Sequence, residues 1–181
     1  MSNSANLAKS EPDGNRLIIG CGYLGKKVAQ QWLSHGRRVF ALTRSQSRAE
    51  QLRAEGLEPI VGDVSQPQSL EDLPEVASVL CAVGHTRRPG HSLHSLYVEG
   101  LRNVLDRLKA PNRFLYVSST GVYDQRDGSE VTEESETSPT EESAGAVLEA
   151  ENLLKERLPE AITLRFAGIY GPGRLLREEG R

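Results

Sequence analysis

The short apolar run Leu17-Ile18-Ile19 leads straight into Gly20-Cys21-Gly22-Tyr23-Leu24-Gly25, and a stretch of helical spacing follows over 24–35. A GxGxxG spacing carries little by itself, but between a strand and a helix each glycine acquires a task. The first allows the tight turn, the second lets backbone approach a pyrophosphate, and the third lets the helix pack closely on the strand. The helix N-terminus then offers unpaired N–H groups and a favourable dipole to phosphate. Dinucleotide binding is the leading reading, against a purely structural turn. Its candidate contacts are Gly20, Gly22, Tyr23, Leu24 and Gly25.

The alternation continues along the chain. Apolar runs at 38–43, 59–61, 79–83, 114–118 and 162–166 predict strands, and helical spacing over 48–54, 93–109 and 141–157 predicts helices. Strands that read as continuous apolar runs are buried on both faces, which means a parallel sheet with helices on either side. The expected fold is therefore α/β, a three-layer, doubly wound, Rossmann-like NAD(P)-binding domain with strand order 3-2-1-4-5-6. Leu24, Val28, Ala29, Trp32 and Leu33 form the apolar face of the first helix, with Trp32 a core residue. Residues 1–15 have the composition of a tail that does not order, leaving 16–181 as one domain. Residues 124–142 are rich in acids, Ser and Thr and read as a long loop. Ser138, Pro139 and Glu141 read as the N-cap, first-turn proline and capping-box acid of the next helix.

Composition removes several function classes. A chain of 181 residues suits one domain with a sizeable core. With 22 basic and 25 acidic side chains and a formal net charge of -3, it lacks the broad basic footprint that nucleic acid or anionic membrane partners require. No apolar run approaches the ~20 residues needed to span a bilayer and the first residues hold no hydrophobic stretch, so a cytoplasmic location is expected. Cys21 and Cys81 are too few for a disulfide framework and lie outside metal-ligand spacing. Both end strands expected to be neighbours, so they read as reduced thiols packed together, with redox sensing the alternative. His85, His91 and His94 share a polar stretch with Arg87 and Arg88, but no Cys or acid stands at ligand spacing. No metal is expected there; the stretch reads as a loop over the cofactor site whose arginines meet an anionic substrate.

The second strand decides which dinucleotide. It ends Ala41-Leu42-Thr43-Arg44-Ser45, without the carboxylate that would take the ribose hydroxyls. Arg44, aided by Thr43 and Ser45, suits a 2′-phosphate, so NADP is expected over NAD; the other reading of Arg44 is a solvated loop residue. The missing acid also argues against an S-adenosylmethionine methyltransferase. Asp63, in Gly62-Asp63-Val64 after the third strand, either holds the adenine amino group or caps a turn. Ala82, Val83 and Gly84 end the fourth strand, where small residues let a cofactor approach.

Val117-Ser118-Ser119-Thr120-Gly121-Val122-Tyr123 and the LRFAGIYGPGR segment at 164–174 join GCGYLG, the Gly62-Asp63 turn and the acidic loop in one order. Together they resemble the extended short-chain dehydrogenase/reductases, the NAD-dependent epimerase/dehydratase family that acts largely on nucleotide sugars. The GCGYLG turn and the LTRS ending are similar to its atypical bacterial, sugar epimerase-like subgroup. The resemblance covers nearly all of 16–181. It implies hydride transfer between a nicotinamide and a nucleotide sugar or other small carbonyl or hydroxyl substrate, with Ser119 hydrogen-bonding the reacting oxygen.

The family's YxxxK tyrosine and lysine fall on Ser143 and Val147. An alkyl alcohol is a far weaker acid than a phenol beside a cation, so the proton donor becomes Tyr123 or water. The other reading of Tyr123 is a packed signature residue. Family members continue beyond YGPGR into a further strand and a small domain over the sugar, whereas this chain stops at Arg181. The expectation is an NAD(P)-binding part without the C-terminal substrate-binding region. A non-catalytic, NADP-binding regulatory module that has lost the Tyr/Lys pair is the alternative. The resemblance also implies a homodimer through helices 93–109 and 141–157, with Leu96, Leu101, Leu105, Val147, Leu148 and Leu154 supplying apolar surface.

Overall fold

The structure, a computed structural model, describes residues 14–84, 92–125 and 127–175. The chain alternates as expected: β1 (Arg16–Ile19), α1 (Tyr23–Ser34), β2 (Val39–Thr43), α2 (Gln46–Ala54) and β3 (Glu58–Val61) make the first half. The second half is β4 (Ser78–Cys81), α3 (Gly100–Arg107), β5 (Arg113–Ser119), α4 (Glu142–Arg157) and β6 (Ile162–Phe166). All strand pairings are parallel, in the order β3-β2-β1-β4-β5-β6. The expected three-layer sheet and strand order are thus observed, with element ends shifted by a residue or two.

Two cores form because successive strand side chains point to opposite faces. On one face Leu17, Ile19, Val79, Cys81, Phe114 and Tyr116 meet α3 and α4 through residues such as Leu101, Val104 and Leu154. On the other, Ile18, Val39, Ala41 and Leu80 meet Ala29 and Trp32 of α1 and Leu52 of α2. Trp32 is a core residue, as its spacing suggested. The two sheet edges differ: β3 carries Pro59, which offers no N–H to a further strand. The β6 edge leaves Ile162 and Phe166 exposed.

Four expectations change. Helix α4 starts at Glu142 with Glu141 as an extended N-cap (φ -81, ψ 133) and no side-chain cap, so Ser138 and Pro139 lie outside it. The Thr140 hydroxyl donates instead to Asp124 Oδ1 at 3.2 Å, tying the approach to the helix back to the start of the loop. The helix expected over 93–109 contains a π-helical turn at Ser95–Glu99 before α3 begins. That helix presses against the loop after β3: a Cβ on Gly100 would stand 2.8 Å from Val64 Cγ2, and Asn103 Nδ2 donates to the Val64 carbonyl at 2.8 Å.

The cysteines are not packed together, because Cys81 points into the α3/α4 core while Cys21 packs against the α1/α2 core. Of the residues offered to a dimer, Leu101 and Leu154 are buried on the sheet of their own chain. The tail expected over 1–15 falls almost wholly outside the described residues, as do His85, His91, Arg87 and Arg88. Among the described residues no group of His, Cys, Asp and Glu is arranged to hold a metal ion, and no helix is long and apolar enough to cross a membrane.

Candidate functional site

β1 pairs with both β2 and β4, so the strand order reverses at its carboxyl end, the place where open α/β sheets form a crevice. A cavity of about 530 Å³ lies there. Gly20, Gly22, Tyr23, Leu24 and Gly25 line it from the first turn, and Arg44 and Asp63 from the ends of β2 and β3. Ala82, Val83 and Gly84 line it from the end of β4.

Each glycine of the first turn has its own physical reason. Gly20 has φ +92, and a Cβ there would collide with the Ala82 carbonyl. A Cβ on Gly25 would collide with the Gly20 carbonyl and lie 3.1 Å from Ile18 Cγ2, so this glycine sets how closely α1 approaches β1. At Gly22, by contrast, apart from its chain neighbours no atom of the described residues lies within 4 Å of an added Cβ. Gly22 lines the cavity. Helix α1 starts there with no side-chain cap and no acidic residue in its first turn, leaving its N-terminal N–H groups and dipole available to an anion.

Thr43 and Arg44 line the cavity at the end of β2. Arg44 makes no hydrogen bond or ion pair among the described residues. Ser45, grouped with it in sequence, is the N-cap of α2 and accepts from the Arg48 amide at 3.3 Å. Asp63 caps a turn, its Oδ1 accepting from the Ser65 amide at 2.9 Å and the Ser65 hydroxyl at 2.6 Å. Cys21 also lines the cavity; burial pushes its thiol pKa up, partly offset by the nearby Arg48 guanidinium.

Ser119 and Tyr123 stand apart from these residues. Ser119 ends β5 two positions beyond Val117, which lines the cavity from the same face of the strand. Its Oγ accepts from the Gly121 amide at 3.1 Å. Tyr123 lines a second cavity, of about 850 Å³, between α4, β6 and the acidic loop. There its phenol oxygen accepts from Arg165 Nη1 at 2.5 Å. Arg165 also donates to Glu151, which is buried and accepts from the Ser118 hydroxyl as well. Ser143, at the family's tyrosine position, is exposed on the first turn of α4, and Val147 one turn later is half-buried.

Sequence reasoning missed the polar cluster around Glu151 and the part played by the YGPGR turn. The first had a signal, an acid standing in the apolar stripe of α4 between Ala150 and Leu154. The second did not: Ile169 and Arg174 reach the first cavity only because β6 returns the chain beside β5 and the turn then crosses to Tyr23.

The model of the family described as NAD(P)H-binding matches residues 20–171. Among curated proteins, Protein YeeZ of Escherichia coli strain K12 is 29% identical over 168 residues, covering 87% of this chain and 59% of YeeZ. Among solved structures, a Methylobacillus flagellatus protein with the provisional description NAD-dependent epimerase/dehydratase is 35% identical with a TM-score of 0.74. That match covers 89% of this chain and 56% of the other. A short-chain dehydrogenase/reductase superfamily protein from Agrobacterium tumefaciens, solved with bound NAD, is 26% identical with a TM-score of 0.70, over 83% of this chain and 48% of its own. The chain therefore spans less than two thirds of each of these relatives.

Proposed function

We propose that this chain, which belongs to the NAD(P)H-binding family, is an oxidoreductase that prefers NADP(H) and acts on a nucleotide sugar or another small carbonyl or hydroxyl compound. The observation that carries the cofactor reading is Gly22. Gly22 lines the cavity at the uncapped start of α1, and apart from its chain neighbours no described residue comes within 4 Å of an added Cβ, so no packing contact there requires a glycine. The first-turn amides would hold the diphosphate, and Arg44 the 2′-phosphate. The absence of a carboxylate at the end of β2 supports NADP(H) over NAD(H).

When bound, a nicotinamide dinucleotide supplies the hydride donor or acceptor. In this reading the chain's own contribution is two hydroxyls, on Ser119 at the end of β5 and on Tyr123 in the second cavity. Ser119 Oγ accepts from Gly121 and keeps its proton to donate. Tyr123 accepts from Arg165 and likewise keeps its own. Ser119 is assigned to polarise the substrate oxygen, and Tyr123 or water to exchange the proton.

Thermal unfolding of the 181-residue chain with NADPH, NADH and S-adenosylmethionine tests the cofactor. A ligand that binds only the folded state adds about 2.7 kcal/mol at 100 times its dissociation constant. NADPH is expected to raise the midpoint most; no shift with either nicotinamide nucleotide defeats the reading. Oxidation of NADPH across a panel of nucleotide sugars and small carbonyls then tests the chemistry, with Ser119→Ala expected to abolish it. Tight NADPH binding with no turnover on any of them would replace the oxidoreductase by the binding module, the outcome suggested by Ser143 and Val147.

A further inference from the structure

We propose that Arg174, in the YGPGR turn after β6, is a diphosphate-binding residue of the dinucleotide site, separate in function from Arg44. This rests on the dinucleotide reading above and adds a second cationic contact to it. Arg174 lines the same 530 Å³ cavity as the glycine-rich turn. Its guanidinium carbon lies 5.6 Å from the centre of the Tyr23 ring, and Tyr23 is the first residue of α1. Arg174 thus lies against the side chain of the first residue of α1 and shares the cavity with the uncapped helix start, whereas Arg44 follows the end of β2.

The turn is built to hold that position. Gly171 and Arg174 exchange two backbone hydrogen bonds of 2.8 Å, closing it. The Tyr23 hydroxyl donates to the Pro172 carbonyl at 3.2 Å, and an added Cβ on Gly171 would come within 2.5 Å of that same hydroxyl. Lys27 covers the Tyr23 ring as well, 5.0 Å from its centre. Arg174 donates through Nε to the Ile169 carbonyl at 2.9 Å, which orients the guanidinium; among the described residues its two terminal nitrogens make no hydrogen bond. A planar pair of N–H donors lining the same cavity as uncapped helix amides fits two oxygens of a phosphate group. The other titratable side chains lining the cavity are Arg44, Asp63, Cys21 and Tyr23, and Asp63 is engaged by Ser65.

The two arginines predict different ligand dependences. Dissociation constants of the full chain are measured for NADPH, NADH, ADP-ribose and adenosine 2′-monophosphate, in wild type and in the Arg174→Ala, Arg174→Lys and Arg44→Ala variants. Arg174→Ala is expected to weaken NADPH, NADH and ADP-ribose by a common factor of about ten, equivalent to about 1.4 kcal/mol, and to leave the monophosphate unchanged. Arg174→Lys, which keeps the charge but not the fork, is expected to recover part of the loss. Arg44→Ala is expected to weaken NADPH and the monophosphate only.

The proposal is overturned if Arg174→Ala leaves all three diphosphates within twofold of wild type, which makes Arg174 a pin for the turn. It is also overturned if the monophosphate weakens in step with them, the sign of general damage to the site. A wild-type chain that binds no dinucleotide defeats the dinucleotide reading itself, before any variant is compared.

Discussion

Glu151 of α4 accepts hydrogen bonds through Oε2 from Arg165 Nη2 at 2.7 Å and Nε at 3.2 Å, joining the long helix to the outermost strand. The carboxylate side chain is 7% exposed and the guanidinium 22%. Hydrogen bonding to Glu151 holds the Arg165 pKa above its ordinary range. Removing one partner of a mostly buried pair leaves the other without its counter-charge, which typically costs 3–5 kcal/mol. Because Arg165 keeps a face toward water, Glu151→Ala is expected near the lower end, about 3 kcal/mol in urea unfolding, with Glu151→Gln losing less. Equal stability in wild type and Glu151→Ala would show that β6 is held by its backbone pairing with β5 alone.

The first-turn glycines separate stability from binding. Gly20→Ala must adopt a positive φ and collide with the Ala82 carbonyl, so it is expected to lower stability by more than about 1 kcal/mol. Gly22→Ala meets no described residue beyond its chain neighbours and is expected to melt within a degree or two of wild type while weakening NADPH at least tenfold. Calorimetric melts paired with fluorescence titration of NADPH check both.

The two thiols are expected to react differently. Cys21 is half-buried at the cavity, so in the native protein a disulfide reagent should label it first, more slowly once NADPH is bound. Cys81 is buried, and its labelling should require denaturant. If NADPH leaves the Cys21 rate unchanged, the ligand does not occupy that end of the cavity.

Burial also sets an alkaline limit. It pushes the Cys81 thiol from its ordinary 9.0 up to about 12. The folded state therefore keeps this proton after the unfolded chain has released it. The contribution is complete below about pH 9 and is lost as pH rises toward 12, with a slope of at most about 1.4 kcal/mol per pH unit. Cys81→Ala is expected to flatten the decline in urea midpoint over that range; an unchanged slope would assign it to other groups, among them Tyr116, whose pKa burial also raises.

Arg44 should govern cofactor choice without affecting the fold. Arg44→Ala is expected to lower the NADPH to NADH affinity ratio about tenfold and to leave the melting temperature unchanged, as suits an exposed side chain with no partner among the described residues. An unchanged ratio would make Arg44 a solvated loop residue.

Much of this architecture was legible from residues 17–25 onward because local rules and the global arrangement agree there. A strand buried on both faces needs a continuous apolar run, and Leu17, Ile18 and Ile19 provide one. The glycine spacing reports constraints within a few residues of itself, so its reading transferred directly to a position in space. What stayed hidden depends on distant partners. Ser138 and Pro139 carry the local chemistry of a helix start, yet Thr140 is tied to Asp124 and the helix begins later. The contacts of Gly100 and Asn103 with Val64, far earlier in the chain, and the π turn at 95–99 just before them leave no mark in a period of 3.6 residues. The two cysteines separate because β1 ends at Ile19, opposite Cys81, and the turn at Gly20 (φ +92) carries Cys21 off the strand toward the α1/α2 core.

The strand order also dictates how this chain must reach its native state. No two adjacent strands are antiparallel, so no hairpin can form early and template the rest. β1 emerges first in the sequence yet ends at the centre, and its partner across the switch point, Cys81 opposite Ile19, arrives only about 60 residues later. Closing so long a loop before any contact rewards it makes the pairing of β1 with β4 the expected slow event. Until then the central strand remains an uncovered hydrophobic segment, and refolding yield should fall as protein concentration rises.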